Sequence, residues 1–406
     1  MKIAVIHDSG SVGGWRWIYS VFGAIKKFYP ETFITIFYQE NPALPLNLLQ
    51  EIQTIGIHTK KLSNYSNYFV RKKYLGIKCF DNLINHIRKN NRKTKFIDII
   101  NKNFDIVFNS WPYSCEPIKF NIPSFFIPHD FIFTHFFGLH VGNIYNYEWY
   151  KNTKEHLQKY LNYGYTPVVT SQFIKQEFLR TFPNYEGNIH QIMIVLSNNT
   201  QQLTEADCNN ILKKFNIKDD YILYPTNSMH HKNMEEVLTA YYYVKQKYPN
   251  IKMIVIGYET QGIQVKMNSP YYADHVDNNE DYDIKSLGLV SDKELNALFL
   301  KSKLVVNASL CEAACGSGAD AWYIGIPTAI SDIPCYKEQV ETYGVKTEFF
   351  NPKNSEDIGN AILRILDNPE TAKENAENSY KSIRTIYTEK LMAKKFITIF
   401  EGKINA

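Results

Sequence analysis

The apolar residues of this chain fall into short runs, and longer amphipathic stretches separate these runs from one another. Short apolar runs are typical of buried strands, whereas stretches such as residues 15–28, with apolar residues every three to four positions, are typical of helices. The predicted strands lie at residues 3–6, 33–38, 105–108, 124–127 and 166–170, and then at 221–224, 253–257, 304–307 and 328–331. Strands that alternate with helices predict parallel sheets connected by right-handed crossovers.

A polar run at residues 196–200 interrupts this alternation and predicts a domain boundary. We therefore predict an α/β chain with two Rossmann-like, doubly wound domains, at residues 1–200 and 201–385. The length of 406 residues agrees with two domains, since one domain usually holds about 100–200 residues. Ligands of open α/β sheets bind beside the carboxyl ends of the strands, so the two domains are expected to face each other across a ligand-binding cleft.

The composition excludes several classes of protein. Apolar residues make up 44% of the chain, which excludes global disorder. The sequence has no run of about 18 apolar residues that could span a membrane, and its first residues lack the features of a secretory signal. The six cysteines are scattered, which fits reduced thiols and no zinc site. We therefore expect a cytoplasmic protein.

A first segment with candidate ligand-binding residues follows the third predicted strand of the second half. Gly316, Ser317 and Gly318 form a turn that could open a helix, where free N–H groups bind phosphate and glycine permits its close approach. Glu312 precedes this turn and Asp320 follows it, and a carboxylate at Asp320 suits paired hydrogen bonds to a ribose diol. The same pattern also fits an ordinary strand–helix turn in which Asp320 is a cap or is solvated.

A second segment lies between the strand at 221–224 and the next predicted helix. It contains Asn227, His231 and Lys232. A lysine at a strand–helix junction is a natural counter-charge for a diphosphate leaving group. A lysine on a solvated loop is the alternative interpretation.

Together, the two segments resemble the retaining GT-B glycosyltransferases of family 4, the glycosyl transferases group 1. Residues 231–233 match the family's lysine-containing loop, and Glu312-x7-Asp320 stands for its Glu-x7-Glu motif. Residues 325–327 match the Gly-x-Pro turn that follows. The resemblance is dense in the second half and thin in the first. It is imperfect at Asp320, which is one methylene shorter than glutamate, and at Asn227, where the family often has arginine.

The resemblance implies that Asn227 takes part in binding the donor, and it implies more specific roles for the other residues. Lys232 and His231, with the backbone N–H groups of residues 316–318, are expected to hold the departing diphosphate. Glu312 is expected to orient the sugar ring or support it electrostatically, and Asp320 is expected to bind the ribose.

The first half carries two further candidates. Gly13 and Gly14 follow the first strand, and the resemblance implies that they approach the donor phosphate or the acceptor. A glycine turn before a helix is the alternative. His129 follows the strand at 124–127, and in many relatives a histidine at this place points at the transferred sugar. A packed or capping histidine is the alternative.

The positive charge is concentrated in one window. Residues 60–95 hold eleven basic residues and one acidic residue, a net charge of +10; because the whole chain carries +4, the rest carries −6. Arg71, Lys72 and Lys73 could bind an anionic membrane surface, at about 1 kcal/mol for each charge, or a lipid-linked acceptor. Nucleic acid is disfavoured because no RNA- or DNA-binding motif accompanies the window, and a solvated basic face remains the alternative.

Asp281 and Asp283 resemble the Asp-x-Asp metal motif of the other glycosyltransferase fold, but they lie in a polar stretch without a preceding strand. We predict a solvated loop there. The resemblance implies an enzyme that needs neither a metal nor a cofactor. It also implies that the final helix, residues 386–406, crosses back to the first domain.

The sequence therefore predicts a retaining, metal-independent hexosyltransferase that moves a sugar from a nucleotide-sugar donor to a glycan or lipid-linked acceptor. The expected setting is the synthesis of a surface polysaccharide or glycoconjugate, on the inner face of the membrane. A sugar-nucleotide epimerase of the same fold and a catalytically weak sugar-nucleotide-binding scaffold are the alternatives. A general Rossmann oxidoreductase is disfavoured because residues 10–14 do not fit GxGxxG.

Overall fold

The computed structural model describes residues 1–8, 12–39, 46–62, 93–138, 146–195, 203–258, 260 and 283–405. The chain divides into two compact units. The amino-terminal unit comprises Met1–Ser197 together with Glu389–Ala406, and the carboxyl-terminal unit comprises Asn198–Thr388.

The amino-terminal unit is built on a parallel sheet. Its described strands are β1 Lys2–His7, β2 Phe33–Tyr38, β3 His58–Lys61, β4 Ile106–Asn109, β5 Ser124–Phe126, β6 Thr166–Val169 and β7 His190–Gln191. They pair in the order β3-β2-β1-β4-β5-β6-β7. In the register of β1, Ile3 lies between Ile34 of β2 and Ile106 of β4. The chain order reverses at β1, and such switch points are where open α/β sheets bind ligands.

Helices follow the strands of this unit. Those described are α1 Val12–Ile18, α2 Ala24–Phe28, α3 Leu46–Thr54, α4 at residues 93–103, α5 Ile132–His135, α6 Tyr147–Asn162 and α7 Gln172–Thr181. Helix α1 begins three residues before the predicted start at Trp15, so Gly13 and Gly14 lie in its first turn. Glycine has a low helix propensity, which is why the sequence pattern marked only the residues after it. A π-helical turn, Tyr19–Gly23, joins α1 to α2.

The carboxyl-terminal unit has a second parallel sheet. Its described strands are β8 Tyr221–Pro225, β9 Lys252–Ile256, β10 Ile284–Gly288, β11 Leu304–Asn307, β12 Thr328–Ser331 and β13 Glu348–Phe350. They pair in the order β10-β9-β8-β11-β12-β13, so β8 and β11 are the central pair. The described helices are α8 Glu205–Lys214, α9 Met234–Lys247, α10 Asp292–Lys301, α11 Gly316–Ile324, α12 Pro334–Tyr343, α13 Ser355–Asp367 and α14 Pro369–Thr385.

Helices cover both faces of this second sheet. On one face, Tyr241 of α9 and Ile362 of α13 belong to a cluster of buried residues with alternate residues of the strands. On the other face, Leu298 of α10 and Ala321 of α11 belong to a second cluster. Strands that are buried on both faces read as continuous apolar runs, which explains why the sequence pattern marked the central strands.

The last helix, α15 Glu389–Ile404, belongs to the amino-terminal unit. The rings of Phe396 and Phe400 pack edge-on against Phe108 of β4, each with a centroid distance of 6.0 Å. Both phenylalanines are fully buried. The chain thus ends on the sheet with which it began. No helix in the part of the chain that the structure describes is long and apolar enough to cross a membrane.

Candidate active site

Two loops of the carboxyl-terminal unit meet at the carboxyl ends of its central strands. Strands β8 and β11 pair directly, with Leu304 opposite Ile222. The loops that follow these strands are joined by a 2.7 Å hydrogen bond that the backbone N–H of Leu310 donates to the carbonyl of His231. The structure therefore brings together the two segments with candidate ligand-binding residues, at the edge where open α/β sheets bind ligands.

The carboxylate of Glu312 lies at the centre of this meeting point, and 15% of its side chain is exposed. The ammonium group of Lys232 donates a hydrogen bond to Glu312 Oε1. The same oxygen lies 3.6 Å from His231 Nε2 and accepts a 3.1 Å hydrogen bond from Ser309 Oγ. One carboxylate oxygen is thus shared by two basic side chains and a hydroxyl group.

The charges in this cluster follow from burial and from pairing. Burial raises the pKa of Glu312, but Lys232 and His231, with hydrogen bonds from Lys232 and Ser309, outweigh it and hold the pKa below its usual range. Burial lowers the pKa of His231 to about 4, against the opposing charge of Glu312. At neutral pH, His231 is therefore neutral, Glu312 is ionised, and Lys232 supplies the positive charge beside it.

The turn that carries Lys232 is held at both ends. The hydroxyl of Tyr224, a fully buried residue of β8, donates a 2.6 Å hydrogen bond to the carbonyl of Lys232. Asn233 follows with a φ of 61°, a left-handed conformation that asparagine tolerates better than most residues. Its side-chain amide donates a 2.5 Å hydrogen bond to the carbonyl of Pro352. These contacts fix the direction in which the lysine leaves the backbone.

Helix α11 begins without a side-chain cap at its N-cap residue, Cys315. The backbone N–H of Cys315 donates instead to Gln339 Oε1 at 2.6 Å. Asn307, the last residue of β11, donates from Nδ2 to Ser317 Oγ at 2.7 Å, and its Oδ1 accepts from the Tyr336 hydroxyl at 2.8 Å. The first N–H groups of a helix carry partial positive charge, so this helix start is suited to a phosphate group.

Four predicted residues, Gly316, Ser317, Gly318 and Asp320, lie on α11 itself. A Cβ atom at Gly318 would lie 2.4 Å from Cys315 Sγ, so packing at the start of the helix requires glycine there. Asp320 is buried, with 4% of its surface exposed. Its predicted contact with a ribose stays a prediction.

The loop after β8 contains the predicted Asn227, and it packs against Gly257, which the sequence analysis did not single out. Asn227 Oδ1 accepts a 3.0 Å hydrogen bond from the backbone N–H of Met229, so this oxygen stabilises its own loop. Gly257, directly after β9, has a φ of 132°, and a Cβ atom there would lie 1.7 Å from the carbonyl oxygen of Thr226. Glycine is therefore needed where β9 ends against this loop. The sequence shows that a glycine stands at position 257, but it does not show that Thr226 lies against it.

The predicted residues of the amino-terminal unit lie after β1 and β5. Apart from adjacent residues and the helix's own backbone, no heavy atom of the described residues lies within 4 Å of the place that a Cβ atom at Gly13 would take, so their packing does not require glycine. His129 Nε2 donates a 2.7 Å hydrogen bond to the carbonyl of Ser110. Burial lowers the pKa of His129 to about 4, more than this hydrogen bond raises it. The imidazole is therefore neutral at neutral pH.

Several predicted features fall outside the described residues. Arg71, Lys72 and Lys73 are among them, as is Asp281. Asp283 is described, and its carboxylate lies 2.7 Å from the ammonium group of Lys245. Asp283 is thus part of an ion pair instead of the predicted solvated loop. Within the described ranges, no group of three histidine, cysteine, aspartate or glutamate side chains could hold a metal ion.

A groove of about 900 Å³ lies elsewhere in the carboxyl-terminal unit. Its lining includes Asp220, Ile251, Lys303 and Pro327, which directly precede β8, β9, β11 and β12. The groove therefore lies at the amino ends of the strands. Ligands of such sheets bind at the opposite edge, so we place the candidate site at Lys232 and Glu312 despite the size of the groove.

Known proteins resemble the chain both in sequence pattern and in fold. Residues 209–382 match the family model of the glycosyl transferases group 1. None of the curated proteins matches the chain in sequence. Solved structures match it over nearly its full length. HepE of Anabaena, in complex with UDP and glucose, has a TM-score of 0.69 at 13% identity and covers 99% of both chains.

Two further solved structures are similar to the chain. A glycosyltransferase from Rickettsia africae has a TM-score of 0.71 at 17% identity and covers 99% of this chain and 98% of its own. WaaG, a glycosyltransferase involved in lipopolysaccharide biosynthesis, has a TM-score of 0.65 at 10% identity, and the match covers 99% of this chain and 100% of WaaG. The chain thus has the fold of the GT-B glycosyltransferases, with two Rossmann-like parallel-sheet domains, and residues 209–382 carry the sequence pattern of the glycosyl transferases group 1.

Proposed function

We propose that this protein is a retaining glycosyltransferase that moves a hexose-type sugar from a nucleotide-sugar donor to a glycan or lipid-linked acceptor. The observation that carries the proposal is the contact between Lys232 and Glu312 beside the start of α11. A cation, a carboxylate and helix N–H groups thus lie together at the carboxyl ends of the strands, the edge at which open α/β sheets bind ligands. HepE binds UDP and glucose, so UDP-sugars are the first donors to test.

In the proposed mechanism, the bond between the sugar and the diphosphate breaks, the acceptor hydroxyl attacks from the same face, and its proton passes to the leaving diphosphate oxygen. Lys232 and the N–H groups of residues 316–318 stabilise the negative charge that develops on the leaving diphosphate. Glu312 supports the positive charge that develops on the sugar ring, and Asp320 binds the ribose. His129 positions the sugar or the acceptor. Neither a metal nor a cofactor takes part.

To test the proposal, the full chain is incubated with UDP-glucose and, separately, with each of a panel of other nucleotide sugars. Mass spectrometry identifies the products. Release of the nucleoside diphosphate, with the sugar transferred to water or an added glycan, supports the proposal. An isomerised nucleotide sugar would support the epimerase instead. Binding without any product would support a scaffold.

The empty space at Gly13 gives a test of ligand approach. We expect Gly13→Ala to lower kcat/KM for the donor at least tenfold while the protein stays folded, because a methyl group would occupy space that the ligand needs. Alanine has a higher helix propensity than glycine by about 1 kcal/mol, so thermal stability is expected to stay equal or rise. The measurements are donor turnover and thermal unfolding.

Gly402→Ala is the matched control, because Gly402 is also helical and a Cβ atom added there would likewise meet no other part of the described chain within 4 Å. It is expected to leave turnover unchanged. Equal turnover of the two variants would show that no ligand approaches Gly13.

The basic window gives a test of membrane binding. We propose that Arg71, Lys72 and Lys73 hold the protein on anionic lipid, at the inner face of a membrane. Changing all three to alanine is expected to weaken binding to phosphatidylserine vesicles about 100-fold, since each charge contributes about 1 kcal/mol. Co-sedimentation measures the binding. A control variant removes the exposed Lys353, Lys373 and Lys381. Equal losses in both variants would contradict a specific membrane role for the window.

A further inference from the structure

A buried histidine lies at the end of β1, in a position that the sequence motifs do not mark. His7 is 1% exposed, and its ring packs edge-on against Trp15 with a centroid distance of 4.7 Å. Burial, followed by the nearby His129, lowers the pKa of His7 to about 3, so the ring is neutral at neutral pH. A neutral imidazole donates from one nitrogen and accepts at the other, and its contacts decide which.

The contacts of Ser110 identify the tautomer of His7. Ser110 Oγ lies 2.9 Å from His7 Nδ1 and donates a 3.1 Å hydrogen bond to the carbonyl of Ile6. A carbonyl can only accept, and a hydroxyl group has one proton, so both contacts of Ser110 Oγ are satisfied together only if it accepts from His7 Nδ1–H. The same tautomer leaves the buried Nε2 as an unpaired acceptor, whereas the other tautomer would bury an unpaired N–H there. His7 therefore carries its proton on Nδ1. Its Nε2 is buried and has no hydrogen-bond partner in the described part of the chain.

The backbone of Ser110 connects this histidine to the predicted site. Its N–H donates to the carbonyl of Ile6 at 3.0 Å, and its own carbonyl accepts from His129 Nε2 at 2.7 Å. His129 therefore carries its proton on Nε2, which leaves Nδ1 as a hydrogen-bond acceptor. The ring of Trp111 lies beside the His129 ring, with a centroid distance of 4.8 Å. Ser110 thus contacts His7 through its side chain and His129 through its backbone carbonyl.

We propose that His7 is a positioning residue for His129. Through Ser110, it holds the carbonyl that keeps the proton of His129 on Nε2, so that Nδ1 accepts a hydrogen bond from a substrate hydroxyl. His129 then orients the sugar or the acceptor substrate through its neutral ring. Nδ1 accepts a hydrogen bond, and the ring does not donate a proton to the substrate. The inference rests on the proposed function, in which His129 contacts the substrate.

Two substitutions separate positioning from simple packing. His7→Phe keeps a ring against Trp15 but removes the donor to Ser110. His7→Asn loses the ring but places an amide N–H close to the position of Nδ1. If His7 only packs, phenylalanine is the better replacement. If His7 positions His129, asparagine is the better replacement.

The test uses the full chain with ¹⁵N-labelled histidine. Long-range ¹H–¹⁵N spectra report which nitrogen of His129 is protonated, and the spectrum of His129→Gln assigns the signals. In the wild-type protein and in His7→Asn, we expect a proton on Nε2. In His7→Phe, we expect a mixture of both tautomers and a kcat for donor turnover about tenfold lower, with the donor KM within twofold. Asparagine is expected to restore most of the loss.

An unchanged His129 spectrum in folded His7→Phe would overturn the proposal, as would a His7→Asn variant that behaves like His7→Phe. If His7→Phe does not fold, Ser110→Ala removes the acceptor of the same hydrogen bond, and the same tautomer mixture is expected. The spectra need no substrate. A wild-type protein that turns over no donor would therefore refute the proposed function, while the spectra still decide whether His7 positions His129.

Discussion

Replacing Glu312 with glutamine is expected to lower the kcat for donor turnover by about 10²- to 10³-fold. Removing one group that stabilises charge in a transition state typically has an effect of about this size. Glutamine keeps the shape of the side chain, and its amide oxygen can still accept from Ser309 Oγ, which is 3.1 Å from the carboxylate. The variant therefore loses the negative charge and its ion pair with Lys232, while the side chain keeps its shape. Donor affinity is expected to change less than tenfold.

The measurement is the steady-state release of UDP from the UDP-sugar that the panel selects, with circular dichroism to confirm folding. Glu341→Gln is the matched control, because Glu341 is an exposed carboxylate on α12 of the same unit. It is expected to retain the wild-type rate. A Glu312→Gln rate within threefold of wild type would remove Glu312 from the mechanism.

The second large effect is expected at Lys232. Lys232→Met keeps most of the aliphatic stem and removes the ammonium group. A hydrogen bond to a charged group contributes about 1.5–3 kcal/mol, so the Kd for UDP is expected to rise about 10- to 100-fold. Isothermal titration with UDP and with uridine separates the causes. Uridine has no phosphate, so its affinity is expected to stay the same in the variant.

The same substitution is expected to change the titration of Glu312. Lys232 is the leading cause that lowers the pKa of this buried carboxyl group, whereas burial raises it. Without the lysine, the pKa of Glu312 rises, so a larger fraction is protonated in mildly acidic solution. The acidic limb of the pH–rate profile is therefore expected to move to higher pH. An unchanged Kd for UDP together with an unchanged acidic limb would contradict the role of Lys232.

The central strands of both sheets could be predicted from the sequence, and the edge strands could not. Strands β3 and β7 end the first sheet, and β10 and β13 end the second. None of the four was predicted. An edge strand pairs on one side and can be partly exposed, so it needs no continuous apolar run. β3 shows this most clearly, since its four residues are His, Thr, Lys and Lys.

The meeting of Lys232 and Glu312 could be anticipated only through the family resemblance, because the sequence pattern does not show that β8 and β11 are neighbours in the sheet. His7 could not be anticipated, because its importance depends on Ser110, which lies 103 residues later in the chain. Gly257 could not either, since only the fold places Thr226 against it. Sequence patterns predict which residues leave the ends of strands, but they do not predict pairs of side chains from distant segments.

A crystal structure of the protein with UDP, or with the nucleoside diphosphate that the panel selects, tests the central claim most directly. The account predicts that the diphosphate contacts the ammonium group of Lys232 and the backbone N–H groups of residues 316–318. A diphosphate bound at the amino ends of the strands, in the groove beside Lys303, would contradict it.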